Sequence, residues 1–211
     1  MIKLINHNKL DHFSLIKPKN AYRMPFIISS PHSGEMLTKH LYDKVVMNKE
    51  AYLSMEDMYI NEISSLMKDV GATILQSNIS RLVIDLNRDI NEIDPSYISN
   101  PPKNMKFNLS NKVKSGIGLI FTRNAEGKHM LDKKLIWEDI EYYIKNYYSP
   151  WHNILKREIE TLHKEFGRVF IIDLHSMPSK LGFICDKPDI IIGNDFNKSC
   201  SQLSVKILSD I

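Results

Sequence analysis

The sequence is short of cysteine and glycine and has no long apolar run. Its two cysteines, Cys185 and Cys200, form no C-x-x-C pair and no zinc-ribbon spacing. They read as reduced, partly buried thiols, not as a disulfide framework or a thiolate metal site. There are 8 glycines, and none builds a G-x-G-x-x-G turn or a phosphate-binding loop. That excludes the common nucleotide cradles. Ser33 and Ser176 stand beside histidines, but no G-x-S-x-G elbow presents either as a nucleophile. The N-terminal stretch "MIKLINHNKLDHF" is broken by polar residues, so neither a signal peptide nor a membrane span is expected, and the cytoplasm is the expected compartment. Net charge is +3 over 211 residues. That is too little and too scattered for a nucleic-acid partner, though it favours a small anionic ligand.

The chain is long enough for one substantial domain, read here as a single unit over 1–211. Residues 1–24 read as an irregular leader. Strands are expected in "RMPFIISS", "ATILQS", "SRLVIDLNRD", "GIGLIFTR", "RVFIIDLHS" and "PDIIIGND". In "SRLVIDLNRD", Leu82, Ile84 and Leu86 alternate with Arg81, Val83, Asp85 and Asn87. Residues 36–50 suggest a loop and a short helix. Residues 51–71 have the spacing of a helix with Met55, Met58, Tyr59, Ile63, Leu66 and Met67 on one face, closed by Gly71. Residues 89–115 form a long loop. Residues 135–167 read as helix, Pro150 break, helix, and "SCSQLSVKILSDI" as the start of a further helix. Strands alternating with helices predict an α/β fold with a largely parallel sheet.

Two of these strands end alike. "FIISSPHSGE" runs from an apolar strand into a turn through His32, and "RVFIIDLHS" ends on His175 and Ser176. Groups at the C-terminal ends of strands in an open α/β sheet face the ligand crevice. Two such histidines can converge on a metal, and Asp173, two residues before His175, can accept the second ring N–H. A catalytic zinc takes three protein ligands and keeps one position open. The third ligand is sought in "SMEDMYINEI", where Glu56 and Asp57 are adjacent acids that could equally favour a helix N-terminus. Arg81, Asn87 and Arg88 place two guanidinium groups and an amide near one strand end. They suit a carboxylate clamp, or else surface ion pairs with Asp85 and Asp89.

"SSPHSGE", "EDMYINEI", "SRLVIDLNRD", "IIDLHSMPS" and "DIIIGNDFNKSC", in this order and roughly this spacing, resemble the N-formylglutamate amidohydrolase family from about residue 24 onward. That family is similar in architecture to zinc carboxypeptidases and aspartoacylases. The resemblance implies a three-layer α/β/α, phosphorylase/hydrolase-like fold with a mixed sheet, binding one zinc. It implies hydrolysis of N-formyl-L-glutamate, or a similar N-acyl amino acid, to L-glutamate and formate. By position it assigns His32, Asp57 and His175 to the metal, with Glu56 as the alternative to Asp57. Arg81 becomes an oxyanion stabiliser. Glu35, in an "HSGE" that mimics the H-x-x-E of carboxypeptidases, is an alternative ligand, and the carboxylate that passes the proton is Glu35 or whichever of Glu56 and Asp57 does not hold the metal. Asn87 and Arg88 grip the substrate carboxylate, with Arg123, His152 and Ser176 near the pocket. The rival readings are a zinc amidohydrolase with another N-acyl amino acid or peptide substrate, and a non-catalytic relative that binds a metal or a carboxylate. Family members continue past the last helix into a further strand and a Gly-rich segment. On that ground weak turnover, and association of a second copy through the C-terminal side, are expected.

Overall fold

The computed structural model describes residues 3–4, 12–18, 22–45, 52, 55–124, 126–177 and 188–210. They divide into two units, residues 1–176 and 177–211. Pro178, Cys185 and the first residues of the expected early helix, Ala51, Leu53 and Ser54, lie outside the described residues.

The first unit is built on a four-stranded mixed sheet flanked by helices. Its strands are β2 (Phe13–Ile16), β3 (Phe26–Ser30), β5 (Thr73–Ser77) and β6 (Phe170–Asp173), in the order β2-β5-β3-β6. β3 runs parallel to β5 and to β6, with Ile28 opposite both Ile74 and Ile172, while β2 is antiparallel to β5. The central strands are almost wholly buried, polar residues included, as parallel strands covered on both faces are. A smaller parallel pair joins β1 (Lys3–Leu4) to β4 (Met36–Leu37). The leader, expected to be irregular, holds strands among its described residues: β2 adds an edge strand, its Phe13 packing edge-on against Trp151.

Helix α1 (Lys39–Tyr42) is capped by Thr38, whose hydroxyl accepts from the Leu41 N–H. Helix α2 (Ile60–Leu66) starts later than the residue spacing predicts, because Tyr59 sits in the left-handed region and residues 55–58 form turns. It buries Ile60 and Ser64 and exposes Ile63 and Leu66, so the face facing the core is not the one the apolar spacing marks. A 3-10 turn follows, and Gly71, at φ +88°, ends it; a Cβ there would strike the Tyr22 carbonyl oxygen. The long loop holds only a 3-10 turn (Pro95–Tyr97) and α3 (Asn111–Lys114). Helix α4 (Trp137–Tyr143) runs through a π-helical turn, Ile144–Tyr148, into α5 (Ser149–Phe166). Pro150 lacks an N–H and would crowd the carbonyl four residues back; the wider π turn absorbs this without breaking the helix.

Two expected strands are loops. Residues 81–86 are turns. Val83 N–H donates to Ser80, Asp85 N–H donates to Leu119, and Leu82 through Leu86 are all buried. With both sets of side chains inside, the period-2 alternation carries no face. Residues 116–123 fold back on themselves through a single bridge, Ile117 with Phe121. In the second unit, residues 188–194 form no strand among the described residues. Ile190, Ile191 and Ile192 are exposed there, and an apolar run makes a strand only where a neighbour pairs with it. Helix α6 (Gln202–Ser209) forms as expected, capped by Ser201. Among the described residues, no helix is long and apolar enough to cross a membrane.

Candidate metal centre

β3 ends where Pro31 removes a donor from the ladder, and the chain turns through His32. Ser33 Oγ donates to the Ser30 and Ser77 carbonyls at 2.9 and 2.8 Å, pinning the turn. Gly34 lets this loop press against residues 78–79, where an added Cβ would lie 2.3 Å from backbone atoms. His32 is thereby only 2% exposed. Its Nε2 lies 2.7 Å from Oδ1 of Asp85, which is fully buried in the 81–86 loop.

At the end of β6, His175 repeats the arrangement. Its Nε2 lies 3.0 Å from Asp173 Oδ2, and Asp173 also accepts from Ser29 Oγ at 2.9 Å and Asn87 Nδ2 at 2.6 Å. A carboxylate on Nε2 fixes the proton there and leaves Nδ1 as a lone-pair donor. The two Nδ1 atoms are 3.1 Å apart, and Asp57 Oδ2 lies 2.8 Å from His175 Nδ1 and 3.7 Å from His32 Nδ1. His32, Asp57 and His175 each offer one ligand atom, all within 4.8 Å of one another. Three electron-rich atoms this close need a positive charge among them, either a shared proton or a cation. The donor set, two imidazoles and one carboxylate, suits a catalytic divalent metal with an open position.

The electrostatics agree. Burial raises the Asp57 carboxyl, but the hydrogen bond with His175 and the nearby His32 and Arg81 outweigh it and hold it well below the usual carboxylate range. Asp85 is held low in the same way, by His32, Arg81 and Arg88 against its burial. Burial lowers His175, yet Asp173 and Asp57 bring it up to about 9, so the metal-free site keeps a proton there. Glu56 turns away from the cluster. Burial is the main cause that raises it to about 8, and it accepts from Ser80 Oγ. Asp57, not Glu56, thus joins the histidines.

Arg81 Nη1 donates to Asp57 Oδ1 and Nη2 to Asp85 Oδ2, each at 3.1 Å, with the guanidinium 5.1 Å over the Phe121 ring. Asn87 borders the centre through Asp173 and through a 3.2 Å contact with His175 Nε2. Arg88 Nε donates to the Ile117 carbonyl and Nη1 to the Asn87 carbonyl, while Nη2 is 3.9 Å from Asp85. Tyr148 Oη and His152 brace this segment: Tyr148 donates to the Arg88 carbonyl, and His152, lowered by burial, bonds the Leu86 backbone. Ser176 follows His175 and is half-buried. Arg123 turns into its own loop, where Nη1 donates to the Gly127 carbonyl. Glu35 is exposed on the His32 loop, outside the converging three, and its carbonyl accepts from Tyr52 Oη. Asp85 behind His32 is not legible in the sequence, because an acid four residues after an arginine looks like a surface ion pair.

A family model for N-formylglutamate amidohydrolase matches residues 24–211. The chain belongs to the N-formylglutamate amidohydrolase family. It is 27% identical over 193 residues to an N-formylglutamate deformylase of Pseudomonas putida, covering 90% of this chain and 66% of the relative. A deformylase of the same name from Pseudomonas aeruginosa is 26% identical over 182 residues, with 84% and 62% covered. The chain therefore spans about two thirds of the length of the curated family members it matches. The crystal structure of an N-formylglutamate amidohydrolase from Ralstonia eutropha superposes with a TM-score of 0.74 at 29% identity, over 81% of this chain and 59% of that one. A gene product of Agrobacterium tumefaciens shares the fold, with a TM-score of 0.56 at 15% identity, over 79% of this chain and 56% of that one.

Proposed function

We propose that the protein is a zinc-dependent amidohydrolase that cleaves N-formyl-L-glutamate with water to L-glutamate and formate. The observation that carries this reading is the convergence of His32 Nδ1, His175 Nδ1 and Asp57 Oδ2, with a carboxylate behind each histidine. The names of the relatives supply the substrate. Bound by these three residues, the zinc would supply a Lewis acid for the formyl carbonyl and an acidified water.

The chain's own groups supply the rest. Asp85 and Asp173 hold both imidazoles in the tautomer that offers Nδ1. Arg88, fixed by two backbone carbonyls, keeps Nη2 for a substrate carboxylate, and Asn87 stands beside it. Each terminal nitrogen of Arg81 carries a second N–H beyond its bond to Asp57 or Asp85, which leaves donor capacity for an oxyanion. The test is formate release from N-formyl-L-glutamate by protein of measured zinc content, against the chelated protein and Arg88→Ala. Turnover that follows zinc content and fails in the zinc-loaded Arg88→Ala protein supports the reading. Turnover unchanged by chelation, or none from the loaded wild type, contradicts it.

A further inference from the structure

Asp57 splits its two oxygens. Oδ2 faces the histidine nitrogens, and Oδ1 is taken by Arg81 Nη1. The other end of the same guanidinium is taken by Asp85, the residue behind His32. Arg81 is therefore a bracket between one candidate ligand and the support of another. It has little freedom, because its plane packs over Phe121 and the residue is largely buried.

We propose that Arg81 is a positioning residue that restricts Asp57 to one ligating oxygen and so keeps a coordination position open for water. This rests on the metal-centre reading above. A carboxylate can meet a divalent ion through one oxygen or both. Chelation through both would turn Oδ1 toward the metal and pull it out of line with Arg81 Nη1. Weakening a largely buried charge pair is costly. The cost tips the equilibrium toward one-oxygen binding. A site closed by a second carboxylate oxygen would resemble a structural metal, while catalysis needs the vacancy. Arg81 acts here through Asp57, alongside any contact it makes with substrate.

Three preparations test this: the wild type, Arg81→Met, and Arg81→Met/Asp57→Asn. The substituted amide of the last can offer a metal only one oxygen. Each is loaded with zinc for X-ray absorption and with cobalt(II) for its visible spectrum. The expected wild type shows one carboxylate oxygen at the metal and an intense four-coordinate cobalt band. Arg81→Met gains one oxygen neighbour and a weaker band, and the double variant recovers the wild-type signature. Unchanged spectra in Arg81→Met overturn the proposal. Should that variant not fold, the wild type still decides, since two carboxylate oxygens at its metal overturn the proposal. If elemental analysis finds no metal in the loaded wild type, the metal-centre reading fails and this inference with it. A bound metal with chelating Asp57 defeats this inference alone.

Discussion

His32 and His175 are two copies of one device placed in different surroundings. Each follows a strand of the same sheet, gives Nε2 to an aspartate and turns Nδ1 inward. The His32 copy is sealed, with the histidine 2% exposed and Asp85 not exposed at all. The His175 copy is open, with side chains 35% and 38% exposed for His175 and Asp173. The source is the sheet. β3 has a neighbour on each side, and its exit is covered by the 81–86 loop. β6 pairs with β3 alone among the described strands and is exposed along its length. The same ligand chemistry should therefore be coupled to folding on one side and nearly uncoupled on the other.

The largest effect should come from Asp85→Ala. It removes the carboxylate that holds His32, Arg81 and the Asn87 N–H, leaving buried cationic groups uncompensated. A loss of about 3–5 kcal/mol is expected in urea unfolding of the metal-free protein. A loss under about 1 kcal/mol would show that the sealed copy is no more structural than the open one. Next, His32→Ala should cost about 1–3 kcal/mol by stranding hydrogen-bonding groups in the interior. His175→Ala should cost less, about 1 kcal/mol, because solvent can replace its contact with exposed Asp173 and Arg81 still pairs with Asp57. Equal costs would break the comparison. The smallest effect on folding belongs to Asp173→Ala, under about 1 kcal/mol. Its signature is instead a roughly 10–100-fold weaker metal affinity by calorimetric titration, as for an outer-shell partner of a ligating histidine.

The sequence revealed the centre better than its frame. Apolar runs ending in a histidine and a turn marked the exits of β3 and β6, and Asp173 could be read from its spacing to His175. Asp57 could not be told from Glu56 by spacing, since adjacent acids differ only in which way the turn aims them; here Glu56 meets Ser80 and Asp57 meets the histidines. Residues 82–86 alternate like a strand, yet tertiary packing buries both sets of side chains, and the backbone bonds Ser80 and Leu119 instead of a neighbouring strand. β2 was missed because Phe13–Ile16 is short and mixed, and its pairing depends on β5, some sixty residues away in sequence. Pattern reading sees local periodicity. It does not see which long-range neighbour satisfies a backbone.

The central claim is that His32, Asp57 and His175 hold one metal in common. Elemental analysis of wild type, His32→Ala and His175→Ala, each loaded with zinc and freed of excess, tests it most directly. The account predicts one zinc per chain in the wild type and loss of stoichiometric zinc in both variants, even though only His32→Ala is much destabilised. Full zinc occupancy in both variants would contradict it.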